Sequence, residues 1–478
     1  MHCTRSCTDR FGIRLLQRLT AFVFLSVLLA SCGVGDGPNF PAMACNALSF
    51  GAVADGTTDN TNAIQNAVNA CAIRGGGIVE LSVSGQDSTY VTGPFVLKSH
   101  VYLQIDKGVI LRATSTHSRY VAAWINWVYQ PNEALISAKG ATDLGIIGAG
   151  TIDGASDRSD PNDGGRTWFQ VANGESASNP STRPWVLEFY QCDHVTISGV
   201  TLEHQPYWLQ AFRYSSDIVE SDVTINGQGP NSDGVDLVGV TNATLTNLDI
   251  SVSDDNIAIK SGLRISATDP YYAKEVGLPQ MPTSHVLIKN ITSRVGSGIS
   301  IGSEAVNGVN DVTIDGVNFT NVLYGFRIKT ARDRGGEIYG IRATHFVLSG
   351  VGWPIGIDAY YAPIGPDPTG PAQPITATTP HVHDITVEDM IATGTRGQSY
   401  IRGLPESCIE NVTLHDVNVE SGQGIDLLHM TGTFINVMSV PLPPNLPFNV
   451  EENVTVTVGG TTPAIPSTPP LTDQIACS

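Results

Sequence analysis

From about residue 78 onward the chain repeats a short alternation of apolar and polar positions. The runs VYLQI (101–105), LGIIG (144–148), VTISGVTL (195–202), IVESDVTI (218–225), ATLTNLDI (243–250), VLIKNIT (286–292), VTIDGVNF (312–319), ITVEDMI (385–391) and VTLHDVNV (412–419) share this rhythm. A period of two is that of a strand with one buried face. The run starts step by 23 (195 to 218), 25 (218 to 243), 43 (243 to 286) and 26 residues (286 to 312). A recurring unit of 22 to 29 residues, with one insertion near 263–285, is the mark of a repeat architecture. No helical pattern alternates with the strands, so a doubly wound sheet is excluded and a parallel β-solenoid is predicted. One helix signal stands apart: in DNTNAIQNAVNACAI (59–73), cap-type residues Asp59 to Thr61 precede Ile64, Ala67, Val68 and Cys71 at helical spacing. It predicts a short helix closing the N-terminal end. GAGTIDG (148–154) has the wrong spacing for a dinucleotide loop and reads as glycines at a coil corner.

The ends of the chain differ from this body. Arg5, Arg10, Arg14 and Arg18 precede the apolar run LTAFVFLSVLLA (19–30), and LASC ends at Cys32. Twelve apolar residues are too few for a span, which takes about 20, but suit a signal segment. The small residues before Cys32 resemble a bacterial lipobox, with Cys32 as the lipidated residue. The expected layout is a lipoprotein-type signal at 1–31, a linker at 32–43, a β-helix domain at 44–458 and a Pro/Thr-rich tail at 459–478. The expected location is therefore outside the cytoplasm: anchored in the bacterial outer membrane, periplasmic or secreted.

Composition adds two limits. Charged residues are 15% of the chain, against roughly 25% in ordinary globular proteins. The formal charge of −19 argues against binding nucleic acid or an anionic membrane surface, and an acidic ligand would need a local basic patch. Of the later cysteines, Cys45 with Cys71 and Cys408 with Cys477 are candidate pairs in an oxidising compartment, leaving Cys192 as a buried thiol. No C-x-x-C zinc spacing occurs.

The repeat also makes a chemical statement. The inward pairs Val235/Leu237, Ile257/Ile259, Ile299/Ile301 and Phe326/Ile328 step by 22 (235 to 257), 42 (257 to 299) and 27 (299 to 326), so they are predicted to stack as rungs of one sheet. Asp236, Ala258, Ser300 and Arg327 then form one outward row, and Lys260 and Lys329 a second. Asp233, Asp255 and Ser297 align two positions before the strands, with Asp254 beside them. Neighbouring rungs lie about 4.8 Å apart, so three carboxylates share one neighbourhood. Strict alternation would send Asp255 inward, so a bend is expected there. Clustered carboxylates split their pKa values, which lets a proton donor and a base coexist, as glycosidic cleavage requires. The cations Lys260, Arg327, Lys329, Arg332 and Arg334 would suit a uronate carboxylate. The same acids could instead hold Ca²⁺.

The segments FGAVADGTTDNTNAIQNAVNAC, RPWVLEFYQCDHVTISGVTL, NSDGVDL, SDDNIAIKSG, SGISIGSE and YGFRIKTARDRGG together resemble glycoside hydrolase family 28, the polygalacturonases and related pectin hydrolases. The resemblance implies an all-β, single-stranded right-handed parallel β-helix. It implies an enzyme that hydrolyses α-1,4-galacturonosidic bonds with inversion, without cofactor or metal, as a monomer whose partner is pectin. It casts Asp254 as general acid, Asp233 and Asp255 as the pair activating water, Arg327 and Lys329 as binders of the substrate carboxylate, and Asn231 as an orienting residue. Tyr360 or Tyr361 matches the aromatic bordering the sugar. One position departs: Ser297 stands where the family has a histidine, and His204 is a candidate substitute. That departure leaves another pectin backbone, such as rhamnogalacturonan, open as substrate. A Ca²⁺-dependent β-helix lyase and a non-catalytic pectin-binding β-helix are the competing readings.

Overall fold

The computed structural model describes residues 44–466 apart from 86–87, 128–129, 175–182, 263–278, 333, 362–369, 422 and 441–445. The signal-like segment, Cys32, the 32–43 linker, the centre of the insertion and residues 467–478 lie outside the described residues.

β-Branched and aliphatic residues at alternate positions build two parallel sheets that wind around one apolar core, a parallel β-helix as expected. The smaller sheet has twelve strands in chain order: β1 (Phe95–Val96), β2 (Ile136–Lys139), β3 (Leu187–Tyr190), β4 (Gln210–Arg213), β5 (Val235–Val238), β6 (Ile257–Lys260), β7 (Ile299–Gly302), β8 (Tyr324–Lys329), β9 (Trp353–Asp358), β10 (Tyr400–Arg402), β11 (Ile425–Leu428) and β12 (Phe448–Val450). Each pairs only with its sequential neighbours. The rungs stack in the expected register: Val235, Ile257, Ile299, Phe326 and Ile355 form one inward column. Leu237, Ile259, Ile301, Ile328 and Ile357 form the next, and every member of both columns is fully buried. Burying each such side chain stabilises the fold by about 1.5–3 kcal/mol.

The larger sheet reveals why its strands read Asn, Asp, His and Gly so regularly. Six successive coils run strands of 11 to 14 residues: Thr241–Ser251, Thr283–Ser293, Val309–Thr320, Gly336–Ser349, Pro380–Thr393 and Ile409–Val419. Each carries two residues with left-handed φ, five positions apart: Asn242/Asn247, His285/Asn290, Asp311/Gly316, Gly340/His345, Asp384/Asp389 and Asn411/Asp416. These positions are skipped by the strand register on either side. Asn, Asp, His and Gly tolerate the left-handed region best, and their short polar side chains bond from coil to coil. The amide of Asn290 donates to the Asn247 side-chain oxygen, and that of Asn247 to Asp222, each at 3.0 Å. The coil Gly336–Ser349, absent from the sequence-based strand list, belongs to this set.

The expected helix spans Thr61–Ile73, buries Ile64, Ala67, Val68 and Cys71, and packs against the first strands of the larger sheet. A Cys45–Cys71 disulfide ties it there. Cys408 is also disulfide-bonded, while its candidate partner Cys477 lies outside the described residues. Cys192 is a free, buried thiol, pushed up to about 11 by burial. Among the described residues the last strand, Val454–Gly459, runs just past the expected boundary, and Ile465 packs against the core. The sequence did not anticipate the antiparallel pair Ala122–Trp127 and Gln130–Asn132 or the short helix Trp168–Ala172.

Asn247 isolates the corner effect. Asn247→Val and Asn247→Gly both lose the side-chain bonds, but only valine is strained at φ 57°. Urea unfolding is expected to find the valine variant about 1–2 kcal/mol less stable than the glycine variant; equal stabilities would reject the corner argument.

Candidate active site

Three carboxylates gather at the leading edge of β5 and β6. Asp233 precedes β5 by two residues, and Asp255 precedes β6 by two; both are buried, while Asp254 is half-buried. The bend expected at Asp254 and Asp255 is present, with Ser253, Asp254 and Asn256 all in bent backbone rather than strand. The backbone N–H of Gly234 donates to the Asp255 carbonyl at 2.9 Å, so the coils meet edge to edge at this point. Asn256 fixes the bend. Its amide donates to the carbonyls of Ile250 and Val295, and its side-chain oxygen accepts from the Gly298 N–H at 2.8 Å. Gly296 and Gly298, both with positive φ, let the next coil wrap this side chain; a Cβ on Gly296 would fall 2.4 Å from the Asn256 side-chain oxygen.

Two ammonium groups neutralise the acids. Lys260 Nζ donates to Asp233 at 3.2 Å and to Asp236 at 2.5 Å. Lys329 Nζ donates to Asp255 Oδ2 at 2.6 Å, and the Ser300 hydroxyl donates to Asp255 Oδ1 at 2.8 Å. The consequences for protonation differ along the group. Burial alone would push Asp255 up, but Lys329 and Lys260 outweigh it and hold its carboxyl below the usual range. Asp254 is raised, first by burial and then by the Asp255 charge. Asp233 is raised well above its usual value by burial and by Asp236, against the pull of Lys260. Asp236 is pushed up to about 7 by burial, again against Lys260. Two carboxylates thus compete for one ammonium, and the pair holds a proton near neutrality while Asp255 remains charged.

The basic residues do not act as one strip. Lys260 is only 3% exposed and lies 3.8 Å above the Trp208 ring, so the structure places it as an internal counter-ion and not at a substrate-facing surface. Lys329 is likewise enclosed. Arg332 is paired with Glu406, and Arg334 with Ser303 and Glu304. Arg327 differs. Among the described residues no carboxylate forms a salt bridge with it, and its buried Nε has no hydrogen-bond partner. Its guanidinium lies 4.1 Å from the Tyr324 ring centroid and 5.3 Å from that of Tyr361. A desolvated cation held between two aromatic faces is prepared for an anionic ligand.

This geometry agrees with the comparisons. The model of glycosyl hydrolases family 28 matches residues 75–433. The chain belongs to that family. It is 28% identical over 441 residues to a probable polygalacturonase of Vitis vinifera, covering 86% of this chain and 84% of the relative. It is 29% identical over 378 residues to an endo-polygalacturonase of Pectobacterium carotovorum subsp. carotovorum, covering 78% and 87%. Among solved structures, the polygalacturonase from Erwinia carotovora ssp. carotovora superposes with a TM-score of 0.63 at 25% identity, covering 89% of this chain and 99% of that one. The family 28 exopolygalacturonase of Yersinia enterocolitica shares the fold, with a TM-score of 0.69 at 18% identity, covering 88% and 79%.

The remaining candidates take separate places in this family 28 glycoside hydrolase. Asn231, exposed and at positive φ, accepts from the Arg183 guanidinium at 3.0 Å and has no hydrogen bond to the carboxylates. Ser297 is buried, and its backbone N–H donates to the Asp254 carbonyl at 2.8 Å. His204 is engaged by Asp153 at 3.1 Å, and among the described residues no hydrogen bond joins it to Asp233, Asp254 or Asp255. The two tyrosines divide: Tyr361 faces Arg327, Lys329 and Arg334, whereas Tyr360 lines a cleft further along the sheet. Asp236 was placed in its outward row by the sequence, but its share in Lys260 was not foreseen; its position directly before the inward Leu237 was the available signal. Asn256, the wedge behind the bend, carried no sequence signal beyond its place after the two aspartates.

Lys260→Met removes the ammonium that, among the described residues, alone is bonded to Asp233 and Asp236. Their folded-state pKa values, already raised, would rise further above the unfolded values. Stability would then be retained in acid and lost as pH rises through that window. The expected cost is small at about pH 4 and about 3–5 kcal/mol at about pH 8, read by chemical unfolding; a cost independent of pH would contradict the shared-ammonium arrangement.

Proposed function

We propose that this chain hydrolyses α-1,4-galacturonosidic bonds of pectin by single displacement with inversion. The observation that carries the reading is an aspartate bonded to an ammonium, Asp255, next to Asp254, for which no cation bond is seen among the described residues, beside an uncommitted guanidinium. Asp254, whose pKa is raised by burial and by the Asp255 charge, is the proton donor and gives its proton to the glycosidic oxygen as the C1–O bond breaks. Asp255, kept ionised by Lys329 and Lys260, takes a proton from the water that attacks C1 from the opposite face. Asp233, half-neutralised by Lys260, positions that water. Both oxygens of Asp255 accept one hydrogen bond each, and each retains a lone pair for the water. Arg327 binds the uronate carboxylate, with Tyr361 packing on the sugar. A charge-assisted contact of this kind is worth about 1.5–3 kcal/mol.

Lys260 and Lys329 also bear on the alternative of Ca²⁺-dependent elimination, because they already occupy the carboxylates that a calcium ion would need. Product analysis separates the two chemistries. On polygalacturonic acid the expected result is new reducing ends of inverted anomeric form by NMR, no unsaturated uronide absorbance and no response to chelator. Asp254→Asn and Asp255→Asn are each expected to lower kcat/KM by about 10³-fold or more. Ultraviolet-absorbing product, or turnover on rhamnogalacturonan alone, would overturn the assignment.

The sequence also supports action outside the cytoplasm as a monomer tethered through a lipid on Cys32. In membrane fractionation, Cys32→Ala is expected to move the protein from the membrane to the soluble fraction; an unchanged distribution would reject lipid anchoring.

A further inference from the structure

Beyond Lys329 the small sheet continues into a cleft of about 550 Å³, walled by Tyr324, Trp353, Asp358, Tyr360, Tyr400 and Arg402. It directly follows the catalytic row. Lys329 pairs in register with Asp358, and Asp358 with Arg402. Its size lies in the range of small-molecule sites, roughly 300–1,000 Å³.

The chemistry of this cleft differs from that around Arg327. Tyr324 and Trp353 stack with centroids 5.0 Å apart, and the Tyr400 hydroxyl donates to that of Tyr324 at 3.3 Å, giving a continuous aromatic wall. Tyr360 contributes a buried hydroxyl with no hydrogen-bond partner. The cleft's guanidinium is already matched: Arg402 Nε donates to Asp426 Oδ2 at 2.5 Å. Its carboxyl, Asp358, accepts the Tyr360 backbone N–H at 2.9 Å and lies against the Tyr400 hydroxyl. Among the lining residues a uronate carboxylate would meet an acid, Asp358, and no unmatched cation; Arg327 lies on the Tyr324 ring, at the border with the neighbouring site. Burial raises the Asp358 pKa against the pull of Arg327 and Arg402. Aromatic faces and neutral hydrogen-bonding groups suit an uncharged pyranose, whose C–H face packs on the rings while its hydroxyls meet the polar groups.

We propose that this cleft is a subsite for an uncharged sugar unit adjacent to the uronate bound by Arg327, either a methyl-esterified galacturonate or a neutral sugar. The proposal rests on the galacturonan reading above, which fixes Arg327 as the neighbouring carboxylate site.

The test is direct binding to the Asp254→Asn protein, which reports on the subsite whether or not the enzyme turns over. Calorimetry would compare three oligosaccharides of equal length: fully de-esterified galacturonan, its partially methyl-esterified form, and a rhamnogalacturonan fragment. Tighter binding of an uncharged-unit ligand is expected, by about 10-fold for one well-placed methyl group. The esterified and rhamnose-containing arms tell which uncharged unit is taken. Adding Trp353→Ala should bring the ratio between uncharged and free-acid ligands close to one, and adding Asp358→Lys should reverse it. Preference for the de-esterified ligand, or an unchanged ratio in both double variants, would overturn the proposal. Failure of the galacturonan reading would be seen differently, as no binding of any galacturonan oligosaccharide.

Discussion

Two buried ammonium groups make the site possible. Three carboxylates enclosed between adjacent coils would each lose hydration worth several kcal/mol, and at close range their charges repel. Lys260 and Lys329 meet that cost from within the same sheet, because both occupy the outward row at the trailing end of their strands. The ammonium supply is deliberately short, however. Two lysines serve Asp233, Asp236 and Asp255, and Asp254 has no cation bonded to it. With no ammonium of its own to offset burial and the Asp255 charge, Asp254 is raised beside an Asp255 that is held low.

That arrangement depends on register, and register is enforced mainly on the opposite side of the molecule. The functional strands are short, mostly three to six residues, and their outward rows alternate carboxylates, cations and small residues that have no reason to stack by themselves. The inward Ile, Val, Leu and Phe columns and the left-handed corners of the larger sheet supply the specification. A slip of one residue would expose the aliphatic column and also place a β-branched residue at a left-handed corner. The larger sheet thereby acts as a ruler for the smaller one, and the active-site row can carry residues chosen for chemistry.

Much of this was legible in the sequence. The inward pairs at 235, 257, 299 and 326 gave the stacking that the structure shows, because apolar alternation is a strong signal in a fold where every rung contacts its neighbours. The coil at Gly336–Ser349 escaped because small Ala343 stands where its neighbours carry Ile314 and Val387, although the paired left-handed positions Gly340 and His345 mark it as clearly as any other. The site was half legible. Spacing brings Asp233, Asp254 and Asp255 together, but it cannot tell a cation that faces a ligand from one consumed by a buried acid. Lys260 and Arg327 occupy similar outward positions; only the neighbours, Asp233 and Asp236 in one case and two aromatic rings in the other, separate their roles.

The serine at 297 belongs to the same electrostatic logic. The related enzymes implied by the sequence motif carry an imidazole there, whose positive charge would lower the pKa of any neighbouring acid. Here Gly296 and Gly298 fold the segment tightly around Asn256, and Ser297 meets Asp254 through its backbone N–H and carbonyl rather than through a charge. Among the described residues, positive charge near the acids then comes from the lysines and Arg327: Lys329 is bonded to Asp255, and Lys260 to Asp233 and Asp236. Losing the imidazolium takes a stabilising influence away from ionised Asp254 while leaving the Lys329–Asp255 ion pair in place. The substitution therefore widens the gap between the proton donor and the base instead of abolishing it, which is compatible with a site that retains all three aspartates.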